Sequence, residues 1–524
     1  MPATIMHEGH NLMLEEAGEV QLKLFELLDH SDVRQIKMIQ LLSKQRGSLT
    51  VNQIAKTFAI NVSTVREDIK LIAFNLKALG PKLAVVNIDG EVSLLHSGDV
   101  SFSDVYYHYL HKSVKYQVLI YLLNHRQFKI QRLADRLSVS TSTLIRRIRE
   151  INRSLAEFNI GIKNTQLFGC EAQIRYFYFQ LLWLGRPIQV NRFEYADDRV
   201  AQLLKMGNFE SLLTETGKVM LTVYFGLVKQ RLTAVRDGDI DYESFNFRNA
   251  GNAPFIKQFS DNLQHYFHQV HLSWDARELN QAVGFLVIHF CFNTDEPSAR
   301  QFVGHLSLQF PKIDTLNRRF IRTVGRIPLA AGLPSTFTEE TKLSLSQIHF
   351  CLAFYRGALS PDISSVAAKA FAEDELSRFS DGQAANELVQ KCYQLCEEAF
   401  HTLAISAQDS DKFDKILMRY AVIVNMALGS SNSYLTIACD FNLEQILNTA
   451  AIARVGAHIN QHIKVSLQPY EADQNYDLII TDQMKPYPHH DHSRVFVLLG
   501  MDYGPDFTAL NQVLKQLYFD KLQF

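Results

Sequence analysis

The chain contains an internal repeat. Laid over itself at an offset of 79 residues, LTVNQIAKTFAINVSTVREDIKLI (49–72) falls on FKIQRLADRLSVSTSTLIRRIREI (128–151). Apolar or small residues coincide: Ile54 with Leu133, Ala55 with Ala134, Phe58 with Leu137, Ile60 with Val139, Val65 with Leu144 and Ile69 with Ile148. Ser63-Thr64 meets Ser142-Thr143. Each copy reads as a short helix that ends at an apolar turn residue, Ile60 or Val139, followed by a polar start and a second helix. Ala55 and Ala134 are small where two steeply crossing helices bring their backbones together. Val65/Ile69 and Leu144/Ile148 hold the second helix inward by its i, i+4 face. This is a helix-turn-helix, whose second helix can lie in a major groove, and first helices are predicted over Val33–Leu42 and Val114–Leu123. Two generic helical hairpins would show the same periodicity, so charge has to separate the readings.

Residues 31–160 hold 19 Lys+Arg against 10 Asp+Glu, or +9, in a chain whose total is -2, so the remainder carries -11. A basic head on an acidic body is expected of a nucleic-acid reader, with double-stranded DNA as its partner. The two readers differ. The first offers Ser63, Thr64, Arg66 and Lys70 but carries Glu67 and Asp68 among them; the second offers Ser142, Thr143, Arg146, Arg147 and Arg149, with Arg153 beyond and only Glu150 opposing. Carboxylates repel phosphate, whereas arginine binds it and pairs with guanine, so the second module is expected to supply most of the affinity. After the first module, KLAVVNIDGEVSLL (82–95) predicts a tight hairpin at Asp89-Gly90, a wing with an acidic tip.

At 524 residues, three to five domains are expected. The start of the chain, MPATIMHEGHNLMLEE, has no leader pattern, and the longest apolar runs, Ala282–Phe292 and Tyr420–Leu428, are too short to span a bilayer. No membrane contact and a cytoplasmic location are expected. The cysteines at 170, 291, 351, 392, 396 and 439 are scattered, as free thiols would be. Cys392 and Cys396 share a helix face without further ligands nearby, and His265, His268 and His271 read as an exposed helix end. No metal or cofactor is therefore expected. There is no P-loop, dinucleotide fingerprint, nucleophile elbow or HExxH, so an enzyme is not expected.

The second module runs into GIKNTQLFGCEAQIRYFYFQLLW (161–183), in which Gly169, Glu171, Ile174, Arg175, Tyr176 and Phe177 form Gly-x-Glu-x-x-Ile-Arg-Tyr-Phe. With the tandem modules before it, this resembles the Mga/AtxA family of virulence and carbohydrate-responsive regulators of Gram-positive bacteria. The resemblance implies a multidomain, mainly α protein. It would comprise two N-terminal (winged) helix-turn-helix domains (1–100 and 101–168), two helical-bundle phosphotransferase-system regulation domains (169–295 and 296–432), and a small C-terminal α/β EIIB-like domain (433–524). It also implies a homodimer or higher oligomer, and histidine phosphorylation by HPr or an EII component. SQIHFCLAFYRGAL places His349 seven residues before Arg356, as at the family's first site; LTVYFGLVKQRL has Tyr224 and Arg231 instead. At the second kind of site GFLVIHF supplies His289, whereas YAVIVNM has Asn425. His289 and His349 are thus the implied phosphorylation sites, although a histidine amid apolar residues is more often a core residue.

From 434 onward strands alternate with helices, a small parallel α/β pattern. Cys439 stands at the position of the EIIB phosphocysteine, but Asp440-Phe441-Asn442-Leu443 follows it without glycine, so phosphoryl transfer there is not expected. The expected function is a DNA-binding transcription regulator, an activator, tuned by the phosphotransferase system. The alternatives are an RNA-binding antiterminator-like regulator and a phosphotransfer protein.

Overall fold

The computed structural model describes residues 25–44, 47–80, 83–96, 102–185, 195–207, 209–235, 254–325, 337, 339–357, 372, 383–405, 410–428, 435–459, 465–472, 474–483, 485, 487, 495–498 and 504–522. The N-terminal stretch read above for a leader lies outside them. Helix α1 (His30–Lys44) leads through β1 (Leu49–Thr50) to α2 (Val51–Thr57) and α3 (Val62–Lys77), and β2 (Leu83–Ile88) and β3 (Glu91–His96) complete the unit. After α4 (Phe102–Lys112), the order returns as α5 (Val114–Asn124), α6 (Ile130–Arg136), α7 (Thr141–Ala156), β4 (Gly161–Lys163) and β5 (Gln166–Phe168). Both ends of α2 and α3 recur 79 positions later as the ends of α6 and α7.

The turn chemistry repeats as well. The Ile60 amide donates to the Ala55 carbonyl at 3.0 Å and the Val139 amide to that of Ala134 at 3.0 Å. The residue between helix and turn is left-handed in both copies, with φ 51 at Ala59 and φ 53 at Ser138. This is the six-to-one closure of a helix C-terminus, made twice without the glycine that usually fits it. Thr50 caps α2 through a reciprocal bond with Gln53, and Ser140 caps α7 by accepting from the Thr143 amide at 3.1 Å.

In the first unit β3 pairs with both β1 and β2, and Asp89 and Gly90 both have positive φ, as a two-residue hairpin turn requires. The second unit has a wing as well, which the resemblance implied but no turn signal in the residues located. Strands β4 and β5 pair antiparallel, Gln127 bridges Gln166 where β1 stands in the first copy, and Asn164 and Thr165 turn the hairpin with φ 51 and φ 62.

Helix α8 (Glu171–Leu184) follows at once. Gly169 makes the junction at φ +129, and a Cβ there would lie 2.7 Å from Ile160 Cγ2. Helices α9 (Arg199–Met206), α10 (Glu215–Ala234), α11 (Pro254–Gln269) and α12 (Ala276–Ile288) come next, with α8 packed on α10 and bonded to α12; α13 (Pro297–Leu308), α14 (Pro311–Val324), α15 (Glu339–Phe354), α16 (Gln383–Thr402) and α17 (Ser410–Leu428) follow. The chain ends in β6 (Leu435–Asp440), α18 (Gln445–His458), β7 (Val465–Pro469), β8 (Leu478–Thr481), β9 (Val495–Val497) and α19 (Gly504–Leu522). Its sheet is parallel throughout, in the order β7-β6-β8-β9. The protein is therefore multidomain and mainly helical, with helix-turn-helix units at its N-terminal end and a small parallel α/β unit at the other.

The expected boundary at 168/169 falls after β5 and that at 295/296 just before α13; those at 100/101 and 432/433 lie outside the described residues. Among the described residues there are four apolar cores, the smallest being Ala438, Tyr476, Ile479 and Tyr487 on the C-terminal sheet. One runs from Phe25 through both winged units and α8–α12 to Phe350 and Tyr355. A second joins α14–α17 to Ile446 and Ala450 of α18, and a third fills the α/β unit. Among the described residues no helix is long and apolar enough to cross a membrane.

Candidate nucleic-acid interface

Helix α7 buries Leu144, Ile151 and Leu155 and turns Ser142, Arg146, Arg149 and Arg153 outward. The three arginines fall at i, i+3 and i+7, one stripe opposite the buried face. Arg146 is 64% exposed and only loosely paired with Glu150 at 3.9 Å. The cap at Ser140 gathers the hydroxyls of Ser142 and Thr143, each 2.8 Å from Ser140 Oγ, at the helix end that enters a groove first. Exposed Lys129 and Arg132 at the start of the helix-turn-helix and exposed Lys163 on the second wing add positive charge.

Arg147 is placed differently from its neighbours. Its side chain is 18% exposed, bonded to Glu150 at 2.9 Å and ion-paired with Asp29. It fastens α7 to the residues before α1, helped by Ser154, whose hydroxyl donates to Glu26 at 2.6 Å, and by the Lys115 ammonium, which reaches the Glu26 carbonyl at 2.5 Å. The cations that α7 leaves exposed are therefore Arg146, Arg149 and Arg153.

On α3, Ser63, Arg66, Glu67 and Lys70 are exposed, with Thr64 half-buried beside the cap. Asp68 overturns its sequence reading as a second phosphate-repelling group. It is buried and accepts two bonds from Arg34 of α1, at 2.6 and 3.0 Å. Its neighbours Val65 and Ile69 face the core, and that face carries Asp68 inward to its counter-ion. Glu67 is then the one carboxylate that this part of α3 leaves exposed. Further along the same face α3 presents Leu71, 44% exposed, and Phe74, 71% exposed, and Arg153 stands where the repeat aligns Phe74. The first wing ends in Asp89 and Glu91 with exposed Ile88.

The Mga helix-turn-helix domain model matches residues 98–182, and a second model, described as an HTH domain, matches residues 34–91. The chain is Mga-like in its head. The two matches meet the two winged units in turn, and the first of them ends within α8, so that the Gly169–Phe177 motif falls inside the Mga-type match. A Streptococcus pneumoniae serotype 4 protein carrying the name "Putative trans-acting regulator" is 22% identical over 189 residues, 34% of this chain and 37% of the relative. The chain thus spans little more than a third of that relative's length.

The motif residues tie α8, which follows the head, into the first bundle at a buried joint. Arg175 donates to Glu171 at 2.9 Å and to both oxygens of Glu278 at 2.6 and 2.9 Å, and Arg231 donates to Glu171 at 2.7 and 3.2 Å. All four side chains are buried, two charges of each sign. Burial pushes the Glu171 carboxyl up, and Arg231 and Arg175 more than reverse it. Arg231, which follows Tyr224 by seven residues, thus serves the joint. Tyr178 adds a bond from its hydroxyl to the Leu119 carbonyl at 2.8 Å.

His289 and His349 both lie inside the helical body. His289 ends α12 among the rings of Phe179, Phe285 and Tyr176, and its Nε2 is buried without a partner. Burial, with a smaller push from Arg419, lowers its pKa to about 3. His349 is fully buried, and a chain of bonds fixes its tautomer. Ser346 donates to the Lys342 carbonyl, so Asn317 Nδ2 donates to Ser346 Oγ at 2.9 Å and turns Oδ1 toward His349. Nδ1–H then donates to that Oδ1 at 2.6 Å, and Nε2 accepts from the Tyr420 hydroxyl at 2.6 Å. Burial lowers this pKa to about 3 also. The corresponding Tyr224 of α10 stacks on Phe285 of α12 at 4.0 Å.

Cys439 is buried in the core of the C-terminal sheet, in register with Ile480 of β8, and burial followed by Asp440 pushes its thiol up. Asp440 is paired with Lys485 at 2.5 Å and accepts from the Tyr487 hydroxyl at 2.7 Å. His265, His268 and His271 are exposed, and among the described residues no cluster of three His, Cys, Asp or Glu is placed to hold a metal.

Proposed function

We propose that the chain is a transcription regulator that binds double-stranded DNA, with α7 as its main reader and α3 as its second. The observation that carries this is the exposed row Arg146, Arg149 and Arg153 on the second helix of a helix-turn-helix whose geometry the chain builds twice. Arginines spaced this way can meet phosphates along one side of a groove, while the capped start of α7 faces base edges. The Mga-type match and the name of the pneumococcal relative support the same reading. A reader of genomic DNA works in the cytoplasm, where we place it. In gel-shift titrations Arg146→Ala/Arg149→Ala/Arg153→Ala should weaken binding by about a hundredfold, at about 1 kcal/mol or more per arginine. Retained affinity would reject α7 as the reader.

The finer part of the proposal is that the chain is an activator and a homodimer or higher oligomer. It would be tuned by phosphorylation of His289 or His349 from HPr or an EII component, with the C-terminal unit an EIIB-like module whose Cys439 is inactive. Two observations support it: the His349 to Arg356 spacing, and a tautomer that leaves the Nε2 lone pair of His349 as the nucleophile. Phosphorylation of His349 requires α14, α15 and α17 to part, because both ring nitrogens are bonded in the closed body. Incubation with phosphorylated HPr or EII component, followed by mapping of acid-labile phosphate, tests it. Phosphate on neither histidine would reject the finer reading and leave DNA binding standing.

A further inference from the structure

The C-terminal end of α15 is clamped to the DNA-binding head. Gln173 of α8 holds that end at two backbone atoms: its Nε2 donates to the Phe354 carbonyl at 2.9 Å and its Oε1 accepts the Arg356 amide at 3.2 Å. Tyr176 donates to the Gly357 carbonyl at 3.4 Å and sets its ring 4.8 Å from that of Tyr355. Gly357 itself has φ +75, and a Cβ there would meet the ring of Phe158 at 2.7 Å. Phe158 follows α7 directly, its amide bonded to the Leu155 carbonyl at 3.0 Å, and its ring meets that of Phe177 at 5.1 Å. The backbone of the α15 end thus rests on the residue that closes the recognition helix.

Two turns back along α15 stands His349, bonded to α14 through Asn317 and to α17 through Tyr420. The same helix is locked into the second bundle at one point and clamped to the head at another. A helix between two such fixed points transmits displacement as a rigid element, because a packed interior has few intermediate arrangements.

We infer that Gln173, Gly357 and Phe158 are positioning residues through which α15 sets the recognition helix α7, so that the His349 lock and DNA affinity are energetically coupled. This rests on the proposed reading of α7 as a DNA reader. It assigns the coupling to one helix and three contacts, and it holds whatever opens or closes the lock.

A double-mutant cycle on the full chain tests it, read as fluorescence anisotropy of a labelled mixed-sequence DNA duplex. Tyr420→Phe removes the donor to His349 without changing the ring; Gln173→Ala releases the clamp. Tyr420→Phe should shift DNA affinity about tenfold in the otherwise unchanged chain. In the Gln173→Ala chain it should shift it by no more than about twofold. Asn317→Ala, which reaches His349 from its other nitrogen, should repeat the pattern. Gly357→Ala should change DNA affinity with Gln173 intact, by pressing on the Phe158 ring. A merely structural role would lower the unfolding temperature of each variant and leave the affinities of the folded proteins unchanged or strictly additive. Additive effects overturn the inference alone; absence of duplex binding by every form overturns the reading of α7 and the inference with it.

Discussion

The two winged units share helix ends, turn closure and wing, and they differ in charge at matched positions. Where α3 has Glu67, Lys70 and Phe74, the repeat gives α7 Arg146, Arg149 and Arg153. The inward position is charged in both copies with opposite sign, Asp68 held by Arg34 and Arg147 held by Asp29 and Glu150. One scaffold therefore tolerates either charge at its buried edge, provided a counter-ion is supplied from outside the repeated segment. The exposed stripe has no such constraint: Lys70 and Arg149 keep the same charge, but Glu67 and Phe74 against Arg146 and Arg153 leave one stripe wholly basic and the other mixed in charge and partly apolar.

The helical bundles show a similar divergence, and acid should expose it. His349 stands in the second bundle where the first has Tyr224; His349 is bonded to Tyr420, and Tyr224 stacks on Phe285. The folded pKa of His349, about 3, lies below the unfolded value of about 6.5. Between these values the unfolded chain binds the extra proton, so stability falls as pH drops from about 6.5 toward 3. His349→Gln should flatten this acid limb in pH-dependent denaturant melts, and Tyr224→Phe should leave its slope unchanged, since a phenol does not titrate there. His289, also lowered to about 3, adds to the same limb from the first bundle.

At the inward position Asp68→Ala should destabilise the head by about 1–3 kcal/mol, because it strands a part-buried arginine. Arg147→Ala should cost less, since Lys115 lies 3.1 Å from Glu150 and keeps that carboxylate paired. Thermal melts of the two variants check the order. Neither substitution should alter base preference, which would be read by competition binding.

Glu67→Arg copies the second reader's residue into the first. It should raise affinity for mixed-sequence duplex several-fold, on the order of 1 kcal/mol for one new phosphate contact. Unchanged affinity would mean that α3 does not face DNA. The smallest effect belongs to the turns. Ala59→Gly and Ser138→Gly should each stabilise by about 0.5–1 kcal/mol, because relief of about 1–2 kcal/mol of left-handed strain exceeds glycine's entropic cost.

Much of the head was legible in the sequence, because the apolar positions repeat and the Asp89-Gly90 pair announces its own turn. The second wing was not, since Asn164-Thr165 carries no glycine and threonine rarely takes positive φ. Asp68 and Arg147 sit at the edge of the apolar stripe, where periodicity leaves the direction of a charged side chain open. Their partners Arg34 and Asp29 are remote in sequence. The merging of the heads with the first bundle into one core was hidden for the same reason: a contact such as Tyr178 to Leu119 joins segments with no shared pattern.

The unequal roles of the two readers are tested most directly by the salt dependence of duplex binding, because each phosphate contact contributes about -0.9 to the slope of log K against log salt. Replacing Arg146, Arg149 and Arg153 with alanine should make the slope shallower by about 2–3, and Arg66→Ala/Lys70→Ala by less than about 1. Equal changes in the two variants, or the larger change in the first module, would contradict the account.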